Sequence, residues 1–420
     1  MSQMISLRQP SGLTRPVASS GKLPEFAFGL FLFLVFVGLS PFNYGVSSLD
    51  NVEGEGNVLR QISFLAAGSL IFFCYVQKRG LGLFRPVPLS TILILVWMTL
   101  STLWSVSPDI TLRRSALTAL VALSVFWSLA ILGANKSLSI LRLVLIPVII
   151  IDFLSVWVIP SASHYYEGSM VWAGMHGHKN VAGAIASLAG LLFFHFAVTK
   201  GRLIDWAFLA CAVVFLWGTA SKTSIILLFL MFILHFFYGY AHKNIVRRRI
   251  LVFGFWSTMF AIAALCWTYW DEIILFLEDP TIFTGRGRIW QTMLLVIPHY
   301  LWAGVGFGAF WQGVSSPVMP YLGQSWMLGI NHAHNGYMEV LATLGVIGLG
   351  LSVFAFAIMP LRRLFSFKIS KEDGGFVFAV VWFTLIGAVT KGIFLDTARP
   401  EWVVFVLALA LLHQHRRPQV

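Results

Sequence analysis

Long unbroken apolar runs, each about the length of a membrane crossing and set apart by short polar turns, constrain this chain more than any other feature. About 30 Å of hydrocarbon takes roughly 20 apolar residues of helix to cross, and the need to satisfy every backbone polar group restricts crossings to helices or closed barrels. Runs of this length without alternation select helices. Read between charges, Gly and Pro, they give about 12 spans: 24–42, 58–77, 87–105, 114–133, 138–159, 180–199, 203–220, 222–240, 250–270, 336–360, 376–396 and 399–414. Composition agrees, since 58% of the 420 residues are hydrophobic and only 11% are charged, a balance unlike that of a soluble domain. The predicted fold class is an all-α integral membrane protein with a large external loop between spans 9 and 10.

Lysine and arginine orient the spans, because basic residues accumulate on the cytoplasmic side. Arg8, Arg15, Lys22, Lys78, Arg79, Arg85, Lys136, Arg142, Lys200, Arg202, Lys243, Arg247, Arg248, Arg249, Arg362, Arg363, Lys368, Lys371, Arg416 and Arg417 fall in the termini and alternate loops, 20 of the 29 basic residues. The opposite loops are acidic, with Asp50, Glu53, Glu55, Asp109, Glu167, Asp271, Glu272, Glu278 and Asp279. The expected order is a cytoplasmic tail at 1–23, spans 1–9 at 24–270, a large periplasmic loop at 271–335, and spans 10–12 with a second cytoplasmic tail at 336–420. Both termini are then cytoplasmic. The net charge of +12 is spread over short loops rather than gathered on a soluble face, which argues against nucleic acid.

The basic residues outside that set are the informative ones, since an ionisable group in or beside a membrane is costly. Arg60, Arg113 and Arg114 stand near outer span ends, where long side chains snorkel to the headgroups. Lys391 lies inside the run 376–396, with Asp396 as its expected partner. Lys179, in His176-Gly177-His178-Lys179-Asn180, and Lys222, in Ser221-Lys222-Thr223, sit at outward helix entrances, where the helix dipole adds to their charge. Arg286 and Arg288, flanked by Gly285 and Gly287, read as an extended or turn segment carrying both guanidinium groups on one side. An amphipathic stretch from Ile289 to Ile297 follows, ending at Pro298.

His332 and His334, like His176 and His178, alternate as metal ligands do, but no Cys, Asp or Glu completes either set at ligand spacing, so no metal is expected. Cys74, Cys211 and Cys266 each lie in an apolar run and read as packing residues. The glycines Gly304, Gly306 and Gly308 lack the preceding strand of a dinucleotide fingerprint.

His334-Asn335, followed after nine residues by Gly345 and then by Gly348, resembles the histidine motif of the O-antigen ligases and related bacterial polysaccharide polymerases. Gly285-Arg286 with Trp290, then the run Gly304 to Phe310, is similar to the start of the same family's shared domain. The segment Trp172 to Asn180 looks like its exopolysaccharide polymerisation branch. The resemblance implies a glycosyltransferase of the C type, working without a cofactor. Its expected partners are an undecaprenyl-diphosphate-linked oligosaccharide, an acceptor glycan, membrane lipids, and other polysaccharide export and chain-length proteins. His334 would act on the acceptor hydroxyl and Arg286 would bind the lipid diphosphate, with Arg288, Lys222 and Lys179 beside it. A second family arginine is replaced by Lys222, which keeps the charge and loses the bidentate fork. His178, Asn180, Asn335, Gly345 and Gly348 would support them, Asn335 by capping a helix and the two glycines by permitting close helix contact. Transfer to the lipid A core is the alternative within the family, and transport of the lipid-linked sugar the alternative outside it.

Overall fold

The computed structural model describes residues 21–42, 58–166, 168–272, 282–311, 316–321, 330, 332–396 and 399–414. Arg8, Arg15, Asp50, Glu53, Glu55, Glu167, Glu278, Asp279, Arg416 and Arg417, which carry part of the charge asymmetry, lie outside the described residues. The helices are α1 (Lys22–Phe36), α2 (Val58–Arg79), α3 (Leu89–Leu100), α4 (Pro108–Leu132), α5 (Ala134–Val158), α6 (Lys179–Lys200), α7 (Leu203–Gly218), α8 (Lys222–His242), α9 (Ile245–Thr268), α10 (Ile282–Val296), α11 (Gly336–Val353), α12 (Met359–Phe365), α13 (Lys371–Gly387) and α14 (Pro400–Gln414). This is a mostly helical, multi-pass membrane protein.

Each of the 12 expected runs carries a helix, and among the described residues seven helices are long and apolar enough to cross a membrane by length and composition. They are α2, α4, α5, α6, α8, α9 and the stretch Gly336–Phe365, while α7 and α14 are apolar but shorter. Two runs separated by only a few residues, α7 and α8, are distinct helices. Ala220 between them takes a left-handed φ of 49°, and Thr219 Oγ1 accepts the Ser221 N–H at 3.2 Å, which turns the chain back.

A bundle in lipid gains little from burying apolar surface, so close packing and interhelical hydrogen bonds must hold it. The residue choice in α6 answers this. Gly183, Ser187 and Gly190 line one face, and a Cβ at Gly183 would stand 2.7 Å from Ser221 Cβ. Ser187 Oγ bridges to the Ser224 carbonyl of α8 at 2.9 Å. Helices α6 and α14 are buried nearly throughout, whereas α9 has no buried residue and touches the rest through α8 and the Phe255 ring against Phe365 and Trp382.

Two features position the segments that build the site, and the first departs from the all-α expectation. Ser163–Tyr166 and Ser169–Trp172 form an antiparallel hairpin, β1 and β2, between α5 and α6. The chain after it is tied down by Asp152 of α5, which accepts the Met175 N–H at 2.9 Å and faces His176 Nε2 at 3.0 Å. In addition, α10 packs Ile289, Met293 and Val296 with Val305, Phe310, Trp311 and Ala333 in a second hydrophobic cluster, apart from the bundle core.

Candidate functional site

Four helices, α6, α8, α11 and α14, begin at one end of the bundle, and their first turns are linked. Asn180 of α6 accepts through Oδ1 from the hydroxyl of Ser221, the residue before α8, at 3.2 Å, and that hydroxyl lies 3.0 Å from Ser224 Oγ. Lys391, in the turn between α13 and α14, places Nζ 3.4 Å from Ser224 Oγ and 3.7 Å from Glu401 Oε1 in the first turn of α14. Asn335 caps α11, taking the Tyr337 and Met338 N–H groups on Oδ1 at 3.0 and 3.1 Å. Gly336 N–H donates to the Ala388 carbonyl at the end of α13 at 2.7 Å. Helix N-termini carry partial positive charge, so this end favours an anion before any side chain is counted.

The site's second wall comes from α10 and from a break in α11. Gly345 has φ 69° and ψ −173°, a region essentially closed to side chains. The backbone groups freed at the break pair with the glycine run. Val305 and Gly306 N–H donate to the Ala342 and Thr343 carbonyls at 3.1 and 3.0 Å, and Val346 N–H to the Leu301 carbonyl at 2.8 Å. A Cβ on Gly304 or Gly345 would overlap the opposing backbone. Gly345 therefore opens the helix rather than tightening a helix contact, which corrects the sequence reading. Gly348 does allow close contact, against Trp97 of α3, whose Nε1 donates to the Leu344 carbonyl at 3.0 Å.

Arg286 lies on α10, a helix and not the extended or turn segment that its flanking glycines suggest. Residues two apart on a helix leave it about 200° apart, so Arg286 and Arg288 do not act on one side. Arg286 Nη1 donates to the Thr390 carbonyl at 3.1 Å, beside Lys391. One helical turn on, Trp290 Nε1 donates to the Ala333 carbonyl, between the two histidines, at 2.9 Å.

His332 and His334 meet with ring centroids 4.0 Å apart and planes at 78°. The His334 backbone is left-handed, φ 52°, and its N–H faces His332 Nδ1 at 3.3 Å. His332 Nε2 lies 3.4 Å from Arg399 Nη2, and Arg399 Nε lies 3.3 Å from Asp396 Oδ2. With Nδ1 accepting the His334 N–H, the neutral ring carries its own proton on Nε2, beside the Arg399 cation, which opposes a further proton. Lost hydration and then the Arg399 charge pull its pKa down to about 4. The His334 ring makes no hydrogen bond among the described residues. Lost hydration first, then His332, Arg286, Arg399 and His178, bring its pKa down to about 3. It is a neutral imidazole with an open nitrogen.

His178 caps α6 through Nδ1, which takes the Asn180 N–H at 3.1 Å. Its pKa is lowered by lost hydration, then by Lys179, His164, Arg399 and Lys391, which sets the His178-Lys179 corner within electrostatic reach of the same cluster. The structure therefore joins Arg286, His334, His178, Lys179, Asn180 and Asn335. Lys222 opens α8 with an exposed side chain.

Two partner assignments change. Lys391 pairs with Glu401 and not with Asp396, which bonds Arg399 instead. Arg114 does not snorkel to headgroups. Its Nη1 donates to the Gly308 carbonyl at 3.2 Å, and with Arg60 it lies in the field of Asp396. Sequence reasoning missed Arg399, and a signal was there: it is the ninth basic residue outside the cytoplasmic set, directly before Pro400-Glu401.

An imidazole able to accept a proton, next to guanidinium and ammonium groups around helix N-termini, can deprotonate a hydroxyl while holding an anion. Residues 206–353 match the family model described as O-Antigen ligase, the stretch from α7 to α11 that holds Arg286, His334 and the glycine interlock. No curated protein matches the chain.

Proposed function

Starting from the O-antigen ligase domain that the chain carries, we propose that the protein is an exopolysaccharide polymerase or ligase of the extracytoplasmic face of a bacterial inner membrane. It transfers the glycan of an undecaprenyl-diphosphate-linked donor to an acceptor glycan hydroxyl. The acceptor oxygen attacks the anomeric carbon from the face opposite the diphosphate. The new C–O bond forms as the bond to the phosphate oxygen breaks, inverting the centre. The hydroxyl proton goes to His334, and the electron pair leaves with undecaprenyl diphosphate.

Arg286 holds the diphosphate, and Arg399, Lys391 and, from the start of α6, Lys179 complete the clamp in place of Arg288 and Lys222. A cation about 4 Å from a phosphate charge contributes on the order of 4 kcal/mol at an effective dielectric of 20. Two or three such cations can stabilise the leaving group without a divalent metal. The observation that carries this reading is that Arg286, seated on the Thr390 carbonyl, lies one turn before Trp290, which holds the Ala333 link beside His334, so that segments on either side of the glycine run come to one end of the bundle.

The test is purified protein in lipid with a synthetic polyprenyl-diphosphate oligosaccharide, an acceptor glycan and a metal chelator. Linked product and free polyprenyl diphosphate are expected, with His334→Ala slower by about 10²–10⁴-fold. Full output from His334→Ala would remove the base, and donor movement across the bilayer without linkage would replace the enzyme by a transporter. Transfer to the lipid A core is the second reading, favoured by the family description itself. Loss of long chains on gene deletion marks a polymerase, and full-length unattached chains mark that ligase.

A further inference from the structure

We infer that Glu339, with Trp290, is a positioning pair that latches the histidine loop to the arginine helix, so that the diphosphate clamp and the base are set as one unit. This rests on the reading of His334 and Arg286 above.

The Ala333 peptide, the link between the two histidines, is gripped on both sides. Its N–H donates to Glu339 Oε2 at 2.7 Å, and its carbonyl accepts from Trp290 Nε1 at 2.9 Å. Trp311 Nε1 donates to the same Glu339 oxygen at 3.0 Å, which fixes the carboxylate from the glycine-run side. Ala333 is fully buried in the cluster formed by Ile289, Met293 and Phe310, so water does not substitute for either grip.

The connectivity supplies the coupling. Trp290 is four residues after Arg286 on α10, hence on the same helix face. Glu339 is one turn into α11, whose N-cap Asn335 directly follows His334. Any shift of α10 that moves the Arg286 guanidinium also moves the Trp290 indole, and through Ala333 the left-handed turn at His334. Among the described residues Glu339 accepts two hydrogen bonds, both on one oxygen and both from groups that hold the loop in place. Its part is geometric.

Four variants of the full-length protein in lipid test this: Glu339→Ala, Glu339→Gln, Trp290→Phe and His334→Ala. Glu339→Ala should lower kcat on the order of a hundredfold, the effect of misplacing a reacting group by about 1 Å, with the donor KM little changed. Glu339→Gln keeps an acceptor for both N–H groups and should restore most of that loss. Trp290→Phe keeps the ring and loses the donor, so kcat should fall in the same direction. Combining Glu339→Ala with His334→Ala should be no slower than His334→Ala alone, since a mispositioned base and a missing base fail at one step. Equal loss in Glu339→Gln and Glu339→Ala would overturn the inference, as would wild-type kcat in Trp290→Phe. Amide exchange at Ala333 separates this from failure of the base reading. It should accelerate in both Glu339→Ala and Trp290→Phe whatever His334 does, and unchanged exchange ends the latch even where His334→Ala is inactive.

Discussion

A histidine serves as a base only if it is unprotonated when its substrate arrives. The ordinary value near 6.5 would leave a fraction of His334 charged near neutrality, but lost hydration and the surrounding cations hold it down to about 3. Protonation removes the base, so the lowered pKa moves the acid limb down with it. Since kcat/KM reports the free enzyme, its value for the lipid-linked donor is expected to stay level from about pH 7 to about pH 5. A bound diphosphate offsets the fields of Arg286 and Arg399, so the acid limb of kcat should lie at higher pH than that of kcat/KM. A kcat/KM limb near 6.5 that vanishes when His334 is replaced would contradict the environment described above. Residue type and motif point to His334 and Arg286 as candidates. Their surroundings were not legible, because Arg399 reaches His332 from 67 positions along the chain. Sequence distance pairs Lys391 with Asp396, but α13 ends at Gly387 and the turn that follows carries Lys391 to Glu401 instead.

Helices are legible where apolar periodicity is long, and the segments that shape the site are where that signal is weakest. Gly285 and Gly287 each cost a helix about 1 kcal/mol relative to alanine, and so read as a turn. Burial of Ile289, Met293 and Val296 against Phe310 offsets that cost, and such tertiary gain leaves no mark within α10 itself. Gly345 looked like a contact residue for the converse reason. A small residue in an apolar run suits either close packing or a broken helix, and only the pairing of Val305, Gly306 and Val346 across the break distinguishes them. Gly345→Ala must force a side chain into φ 69°, ψ −173° and into the Trp302 carbonyl. A loss of about 1–3 kcal/mol from the backbone alone, with more from the overlap, is expected in thermal or denaturant unfolding in detergent. Gly350→Ala, where nothing lies within 4 Å of the added Cβ, should be nearly neutral. Equal behaviour of the two variants would mean that the interlock does not hold the site wall.

Over the whole molecule, charge divides the two ends of the bundle into different environments. Arg79 Nη2 joins the end of α2 to the Ala130 carbonyl of α4 at 2.9 Å, and Lys136 meets Glu25 at 2.9 Å between α5 and α1. His242 Nε2 lies 2.8 Å from the Ile369 carbonyl before α13, and Arg142 pairs with buried Asp205 across α5 and α7. These contacts gather the basic loops at the end where α6, α8 and α11 do not begin. A transport pathway needs uncommitted charges at mid-membrane, but buried Asp152 of α5 is committed to Met175 and His176, and Lys391 sits with the site. The tendency of basic loops to stay cytoplasmic predicts that the Arg286–His334 end faces outward, as the proposed reaction requires. A membrane-impermeant thiol reagent decides the direction. Cys74, Cys211 and the exposed Cys266 are first replaced by alanine, and one cysteine is then introduced at Gly177 or at Lys243, both exposed. In cells with a permeabilised outer membrane and a sealed inner one, Gly177→Cys should label and Lys243→Cys should not. The opposite pattern would put the histidine and arginine on the cytosolic face, where a donor already carried across the membrane could not reach them.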